Sequence, residues 1–436
     1  MKAAASKKSF WSSLQGRYGE ICLIFANIVF LFILLNIVLG IVFFIKDELK
    51  QKIDIGSSIS RRSFDQSGAP LNEHRTAYQK QWFDYTAYED IVNEQYADTV
   101  LDDFTNLSVQ GFSYQPWVQF SEPLYNGKLV HVDADPIGLP IRRTISNATQ
   151  QKTLRLRIFT FGGSTTFGYN VSDEHSWPSY LSAVLNKRAQ QLNIHDISVE
   201  VTNYGRGYYY TTQEIILLMQ ILKHENRPDL VIFLDGVNED QLCKDAPFFT
   251  NLLQDAMHNL QFEAEGNFIN KMEWLPIVRL AKAVRQRFGK KVDTEEKSGE
   301  NSDDCYTTQN GLEDAIQYGK NISLVNSISK LYGFKALILL QPDAEYNYEL
   351  ELYRNVDMAR AKVLPRRPYK QAFYDKARNT ESVVDLTNLF EIWGSRRKAI
   401  VDDVHYSPKF NQFLALRVAD LIDLSSSAQN VQHADK

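Results

Sequence analysis

Apolar positions recur along this chain on three different periods, and the switches between them mark out its elements. Ile21 to Ile45 is an uncharged run with only Asn27, Asn36 and Gly40 among apolar residues. As a helix it is long enough to cross a hydrocarbon core of about 30 Å. Lys46-Asp47-Glu48 follows with no small-residue cleavage site, so the run reads as a retained anchor rather than a cleaved signal peptide. From residue 46 to about 150 the pattern is mixed and aromatic, with charged stretches near Arg61-Arg62 and between Asn93 and Asp103. This predicts a stalk of short helices followed by extended pieces at Tyr114 to Trp117 and Leu129 to Asp133, where His131 reads as an ordinary strand residue.

Beyond residue 150 strands and helices take turns. Leu154 to Phe161 is β-prone, and Ser176-Trp177-Pro178 offers a capping hydroxyl and a first-turn proline for a helix ending near Leu192. Ile197 to Thr202 alternates as a strand should, and Thr211 or Thr212 opens an apolar helix through Leu222. Asp229 to Leu234 is almost continuously apolar, the mark of a strand covered on both faces of a parallel sheet. A helix over Leu312 to Leu331, a strand over Ala336 to Leu340, a helix over Tyr369 to Arg378, a strand over Val383 to Leu386 and a helix from Ser407-Pro408 to about Leu424 continue the series.

Two stretches break the rhythm. One, residues 241–310, includes a basic helix predicted over Leu275 to Phe288; the other spans 343–368. The predicted fold is therefore α/β, a doubly wound parallel sheet of flavodoxin-like type, preceded by one transmembrane helix and a stalk. The boundaries are a cytoplasmic tail 1–20, the anchor 21–45, the stalk and lead-in 46–150, the main domain 151–425 with its two insertions, and a polar tail 426–436. The stretches ending at Ser164, Gly207, Asn238 and Gln341 then open onto one edge of the sheet, where ligands collect in such folds.

Charge and cysteines narrow the partners. With 436 residues, 44% of them hydrophobic, the chain can build a sizeable core. A net charge of -5 without long runs of one sign gives no footprint for nucleic acid. Lysines and arginines flank the anchor on both sides, and the reading favoured is a cytoplasmic amino terminus with the large domain extracytoplasmic, periplasmic or extracellular. Cys243 and Cys305 either pair or remain free thiols, and the spacing of cysteines and histidines suggests no metal; no cofactor is expected. Asn106, Asn147, Asn170 and Asn321 each head an Asn-x-Ser/Thr triplet.

The chemistry lies in four separated blocks: Gly162-Gly163-Ser164, Asn203-Tyr204-Gly205-Arg206-Gly207, Gly236-Val237-Asn238 and Asp402-Asp403-Val404-His405. A serine hydroxyl needs a base to take its proton during attack, and His405 is the candidate because imidazole titrates near neutrality. Asp402, three residues before it, can hold the other ring nitrogen, with Asp403 as the alternative. His175 and His224 fall in helix contexts and read as packing or surface residues. Four such blocks, in this order at strand ends, resemble the SGNH or GDSL-type hydrolases over about Leu154 to Leu424. The anchor and the Gly-Gly-Ser-Thr-Thr-Phe-Gly form are similar to bacterial envelope members.

That resemblance implies a Ser164, His405 and Asp402 triad. It implies an oxyanion hole formed by the Ser164 N–H, the N–H of Gly207 (or Gly205) and the Asn238 side chain. It departs at Glu239, where the family has aspartate, at Phe410, and in the spacing of the second block. Gly162-Gly163-Ser164-Thr165-Thr166 lacks the second glycine of Gly-x-Ser-x-Gly, which disfavours the nucleophile elbow of the α/β-hydrolases, and Tyr169 stands where a phosphate loop would need lysine, which disfavours nucleotide binding. The function expected is a membrane-anchored serine esterase acting on an O-acyl ester, with an acylated envelope glycan or lipid as substrate. An O-acyltransferase using the same site is the first alternative, and an inactive assembly protein on the same fold the second.

Overall fold

The computed structural model describes residues 22–43, 83–88, 93–145, 154–194, 197–240, 275–278, 280, 305–394 and 398–424. The chain forms two units. One comprises residues 1–62 with 251–299, and its principal described element is helix α1, Cys22–Phe43. At 22 residues α1 is about 33 Å long, enough by length and composition to cross a membrane. Its polar Asn36 is satisfied twice, donating to Phe32 O at 2.9 Å and accepting from Ile277 N at 3.2 Å. The predicted basic helix at Leu275 to Phe288 lies outside the described residues except for 275–278 and 280, as do Cys243 and both tails beyond 22 and 424.

The second unit, residues 63–250 and 300–436, holds the sheet. Its described part opens with a 3-10 turn at Tyr85–Ala87, then helix α2 (Glu94–Gln110) and a hairpin of β1 (Ser113–Gln115) and β2 (Gln119–Ser121). Three short strands follow, β3 (Tyr125–Asn126), β4 (His131–Ala134) and β5 (Pro140–Arg142). The alternating series is then β6 (Leu154–Gly162), α3 (Ser164–Phe167), α4 (Trp177–Gln191), β7 (Ile197–Asn203), α5 (Thr211–Lys223), β8 (Leu230–Asp235), α6 (Thr308–Tyr332), β9 (Lys335–Leu340), α7 (Val356–Ala377), β10 (Val383–Asp385) and α8 (Pro408–Asp420).

The sheet runs β10-β9-β8-β6-β7-β5-β4-β3. From β10 to β7 every neighbour is parallel, whereas β5, β4 and β3 join antiparallel. The order of the parallel strands turns about β6, and such a switch point leaves a crevice beyond the carboxyl ends of the strands. Alternation along β6 and β8 explains why both faces are covered. Leu156, Ile158, Ile232 and Leu234 pack with α4 and α8 on one side, and Phe159, Phe161, Val231 and Phe233 with α5, α6 and α7 on the other.

The structure differs from the sequence reading in three respects. The lead-in is more than extended pieces, because β3 to β5 lengthen the sheet past β7. The 343–368 excursion is largely helical: α7 starts at Val356, where the Asn355 side chain accepts from Met358 N, and runs through Pro365 and Pro368. Proline disfavours a helix interior because it removes an N–H and crowds the preceding turn, so the pattern hid this helix. Ser176 stands at the cap of α4, but its hydroxyl lies 3.1 Å from both Asp173 O and Ser179 Oγ and is engaged there instead of capping the helix.

Candidate active site

The turn after β6 is shaped by its glycines. Gly162 has φ 148°, and a Cβ there would stand 2.2 Å from Thr166 Oγ1 and 2.8 Å from Leu234 O. Only a residue without a side chain lets the strand deliver Ser164 to the start of the single-turn α3. The turn closes behind the serine, with Gly168 N and Tyr169 N donating to Ser164 O at 2.9 and 3.1 Å. Ser164 itself is half-buried.

The fourth block is held from within. His405 Nδ1 lies 2.6 Å from Asp402 Oδ2, while Asp402 Oδ1 accepts from Val404 N at 2.8 Å and His405 N at 2.7 Å. Burial alone would raise the Asp402 pKa, but the charge and hydrogen bonds of His405 outweigh it and hold the carboxyl well below the usual range. Burial disfavours the imidazolium as well, yet the charge of Asp402 and its hydrogen bond leave His405 raised above its ordinary value. With Nδ1 engaged, Nε2 is the ring nitrogen that Asp402 does not use. Asp403, the alternative partner in sequence, is instead paired with Lys362 of α7.

Three connections bring the blocks containing Ser164 and His405 together. The Tyr169 ring, whose N–H bonds Ser164 O, stacks on the His405 ring with centroids 5.5 Å apart and planes at 18°. Asn170 Nδ2 donates to Asp402 Oδ2 at 2.7 Å. Gln341 Oε1 accepts from Thr165 Oγ1 at 2.7 Å and from Tyr406 OH at 3.1 Å, joining the neighbours of the serine and the histidine.

The third block arrives at the same place. A Cβ on Gly163 would be 2.3 Å from Asn238 Nδ2, so the amide lies against the backbone just ahead of Ser164. That amide donates to Tyr209 O at 2.8 Å and retains a second hydrogen. Lys370 Nζ, paired with Asp343 at 3.0 Å, donates to Val237 O at 2.7 Å and secures the loop. Glu239 reaches further than an aspartate and ties the loop to α5, its Oε1 accepting from Thr211 N at 2.9 Å and Thr211 Oγ1 at 2.5 Å.

The second block is more crowded than its sequence suggests. Gly207 N donates to Glu122 Oε1 at 2.7 Å, so the N–H assigned to the oxyanion is committed to a carboxylate in this structure. Gly205, the reserve, donates to Asn203 Oδ1 at 2.9 Å and packs under Thr166 and Phe167. Between this block and Tyr209, Tyr208 has φ 62°, a left-handed conformation that favours glycine and is costly for an aromatic residue.

Beneath Asn238 sits a group of buried acids. Glu214, Asp235 and Glu239 are each no more than 2% exposed. Burial pushes Asp235 up to about 7 and Glu239 up to about 8, and carries Glu214 well above the carboxylate range, with the neighbouring acids adding to the rise in Glu214 and Glu239. Among the described residues no group of acids, histidines and cysteines is arranged to hold a metal.

The remaining histidines have other partners. His131 Nδ1 lies 2.6 Å from Asp173 Oδ2, beside the buried Arg142, whose Nε is 3.0 Å from Asp173 Oδ1. His175 Nδ1 meets the buried Ser172 Oγ at 2.8 Å within one short turn, and His224 is exposed at the end of α5.

No protein family's sequence profile matches this chain, and no curated relative matches it. Solved structures do. An acetyl xylan esterase, AlAXEase, aligns at 12% identity over 61% of this chain and 100% of its own, with TM-score 0.31. A putative lipolytic protein of the G-D-S-L family from Desulfitobacterium hafniense DCB-2 aligns at 13% over 61% and 99%, TM-score 0.29. The acetylxylan esterase Axe2 from Geobacillus stearothermophilus aligns at 14% over 62% and 93%, TM-score 0.30. Likeness this distant leaves the chemistry to stand on the side chains themselves.

Tyr169, Asn170 and Glu122 do not stand out in the sequence as site residues, whereas Gln341 is marked there only as the end of a strand at the ligand edge. Asn170 does carry a signal, but a misleading one. It heads an Asn-Val-Ser triplet, yet it is 6% exposed and donates to Asp402, as Asn321 of another triplet is buried and donates to Thr212.

Proposed function

We propose that the chain is a serine esterase of SGNH type. Ser164 Oγ attacks the carbonyl carbon of an O-acyl ester while His405 Nε2 takes its proton. Asp402 holds the ring by Nδ1 and stabilises the imidazolium that forms. The oxyanion of the tetrahedral intermediate is met by the Ser164 N–H, at a helix start where no intrahelical acceptor exists, and by the free hydrogen of the Asn238 amide. Gly207 joins them where its N–H is released by Glu122. The imidazolium returns its proton to the departing alcohol, leaving acyl-Ser164. Water then enters through the same base, and the carboxylic acid departs.

The observation that carries this reading is the His405–Asp402 pair at 2.6 Å, fastened to the serine turn through Asn170 and the Tyr169 ring. The test is hydrolysis of a short-chain aryl ester by the detergent-solubilised full chain, together with labelling by a fluorophosphonate. Ser164→Ala and His405→Ala should each remove more than about 10⁴-fold of kcat. Turnover that survives in both variants defeats the proposal.

α1 supports single-pass anchoring, and our reading assigns the large domain to the extracytoplasmic side. The disulfide at Cys305 fits that oxidising location. An acylated envelope glycan or lipid is the substrate class such a placement favours.

A further inference from the structure

Glu122 follows β2, well ahead of the first of the four blocks, and it reaches the centre of the site. It is 1% exposed. Its Oε1 accepts from Gly207 N at 2.7 Å and from Tyr169 OH at 3.1 Å. Tyr169 in turn covers the His405 ring and bonds the carbonyl of Ser164 through its own N–H. One carboxylate thus fastens the second block and the residue that bonds the serine's backbone carbonyl and covers the imidazole. The hairpin before Glu122 is itself anchored there, with Tyr209 OH donating to Phe120 O and Gln213 Nε2 to Val118 O at 3.0 Å.

Resting on the esterase reading, we infer that Glu122 is a positioning residue for the acyl-transfer step, acting on His405 through Tyr169 and on the second block through Gly207. The physical reason is twofold. A phenol that donates to a carboxylate has one preferred ring plane, so the tyrosine can hold the imidazole at the angle that presents Nε2 to the serine. A phenol polarised by that bond also offers a more electron-rich face to the imidazolium that develops beneath it.

The charged groups facing this pair are few and define the background. Arg206, Arg142, Tyr208 and Tyr209 surround Glu122; Asp402, Asp403 and Lys362 face His405. Burial pushes the Glu122 pKa up while Arg206 opposes it.

The test uses the full chain with an aryl acetate, in Glu122→Gln, Tyr169→Phe and the double variant. Each single variant should lower kcat by about 10-fold or more with KM nearly unchanged, since only geometry at the reacting centre is lost. The acid limb of the kcat/KM profile should move down by about half a pH unit as the imidazolium loses support. The double variant should be no slower than the slower single one, because both changes cut the same connection. Multiplicative losses, an unmoved pH limb, or faster hydrolysis in Glu122→Gln would each overturn the inference. Faster hydrolysis would mean that the carboxylate blocks Gly207 rather than arranging it. Tyr169→Phe, which removes a single hydroxyl, keeps the question answerable if Glu122→Gln does not fold. Failure of the esterase reading is separable, because wild-type protein would then neither turn over the ester nor label at Ser164.

Discussion

Replacing Glu239 by glutamine keeps the shape and the acceptor oxygen that Thr211 uses, and removes only the ability to ionise. In the native protein this carboxyl is 1% exposed, and burial, with Asp235 nearby, pushes its pKa from an ordinary 4.5 up to about 8. The folded state therefore holds the proton more tightly than the unfolded chain does. Stability from this group is fully present below about pH 4.5 and is lost as pH rises to about 8, because over that window the unfolded state ionises first. At about 1.4 kcal/mol per unit the shift corresponds to nearly 5 kcal/mol. Asp235 and Glu214 share the same pocket and discourage one another's ionisation, so a single substitution recovers only a fraction of this, on the order of 2–4 kcal/mol. Thermal unfolding of the full chain in detergent should show Glu239→Gln close to wild type at pH 4.5 and on the order of 3–6 °C more stable at pH 9. A difference in melting temperature that is the same at both pH values would refute the reasoning, as would a variant that is less stable in alkali.

Other outcomes follow from the same geometry. Asp402→Asn should lower kcat by about 10⁴-fold and, since it removes the charge that keeps His405 raised, move the acid limb of the rate profile to lower pH. Asn238→Ala should cost about 10²- to 10³-fold in kcat, measured with the same aryl ester, while leaving fluorophosphonate labelling at Ser164 detectable. Asn170→Ala removes the 2.7 Å donor to Asp402, and its rate loss should be smaller than that of Asp402→Asn.

The groups proposed to react are legible because each stands in a short local pattern at a strand end or beside a helix cap: two glycines before Ser164, glycine two places before Asn238, aspartate three places before His405. The groups that support them lie far apart in sequence. Glu122 meets Gly207 across 85 positions and Asn170 meets Asp402 across 232, and no periodicity carries such information. In the sequence Tyr169 registers only as the residue standing where a phosphate loop would need lysine, and its ring over the imidazole is visible only in the fold. Strands β3 to β5 are two to four residues long, too short for alternation to register. The prolines of α7 point away from helix at the level of local preference, and packing of Tyr369, Phe373 and Tyr374 against the sheet overrides them.

The antiparallel strands ahead of residue 150 also determine where this protein can be cut. A chain shortened to begin at β6 would lose the one pairing that β5 makes with β7, Arg142 with Asn203, and with it β4 and β3, leaving all of β7 as an edge open to pairing with another copy. It would lose Glu122 together with the Phe83 to Tyr88 segment, where Asp84 N donates to Val401 O at 2.7 Å behind the histidine loop. A shortened chain is thus to be made by removing what precedes Phe83 and retaining everything from there onward, because Asp84 and Glu122 hold Val401 and Gly207, which lie beyond β6 in the chain.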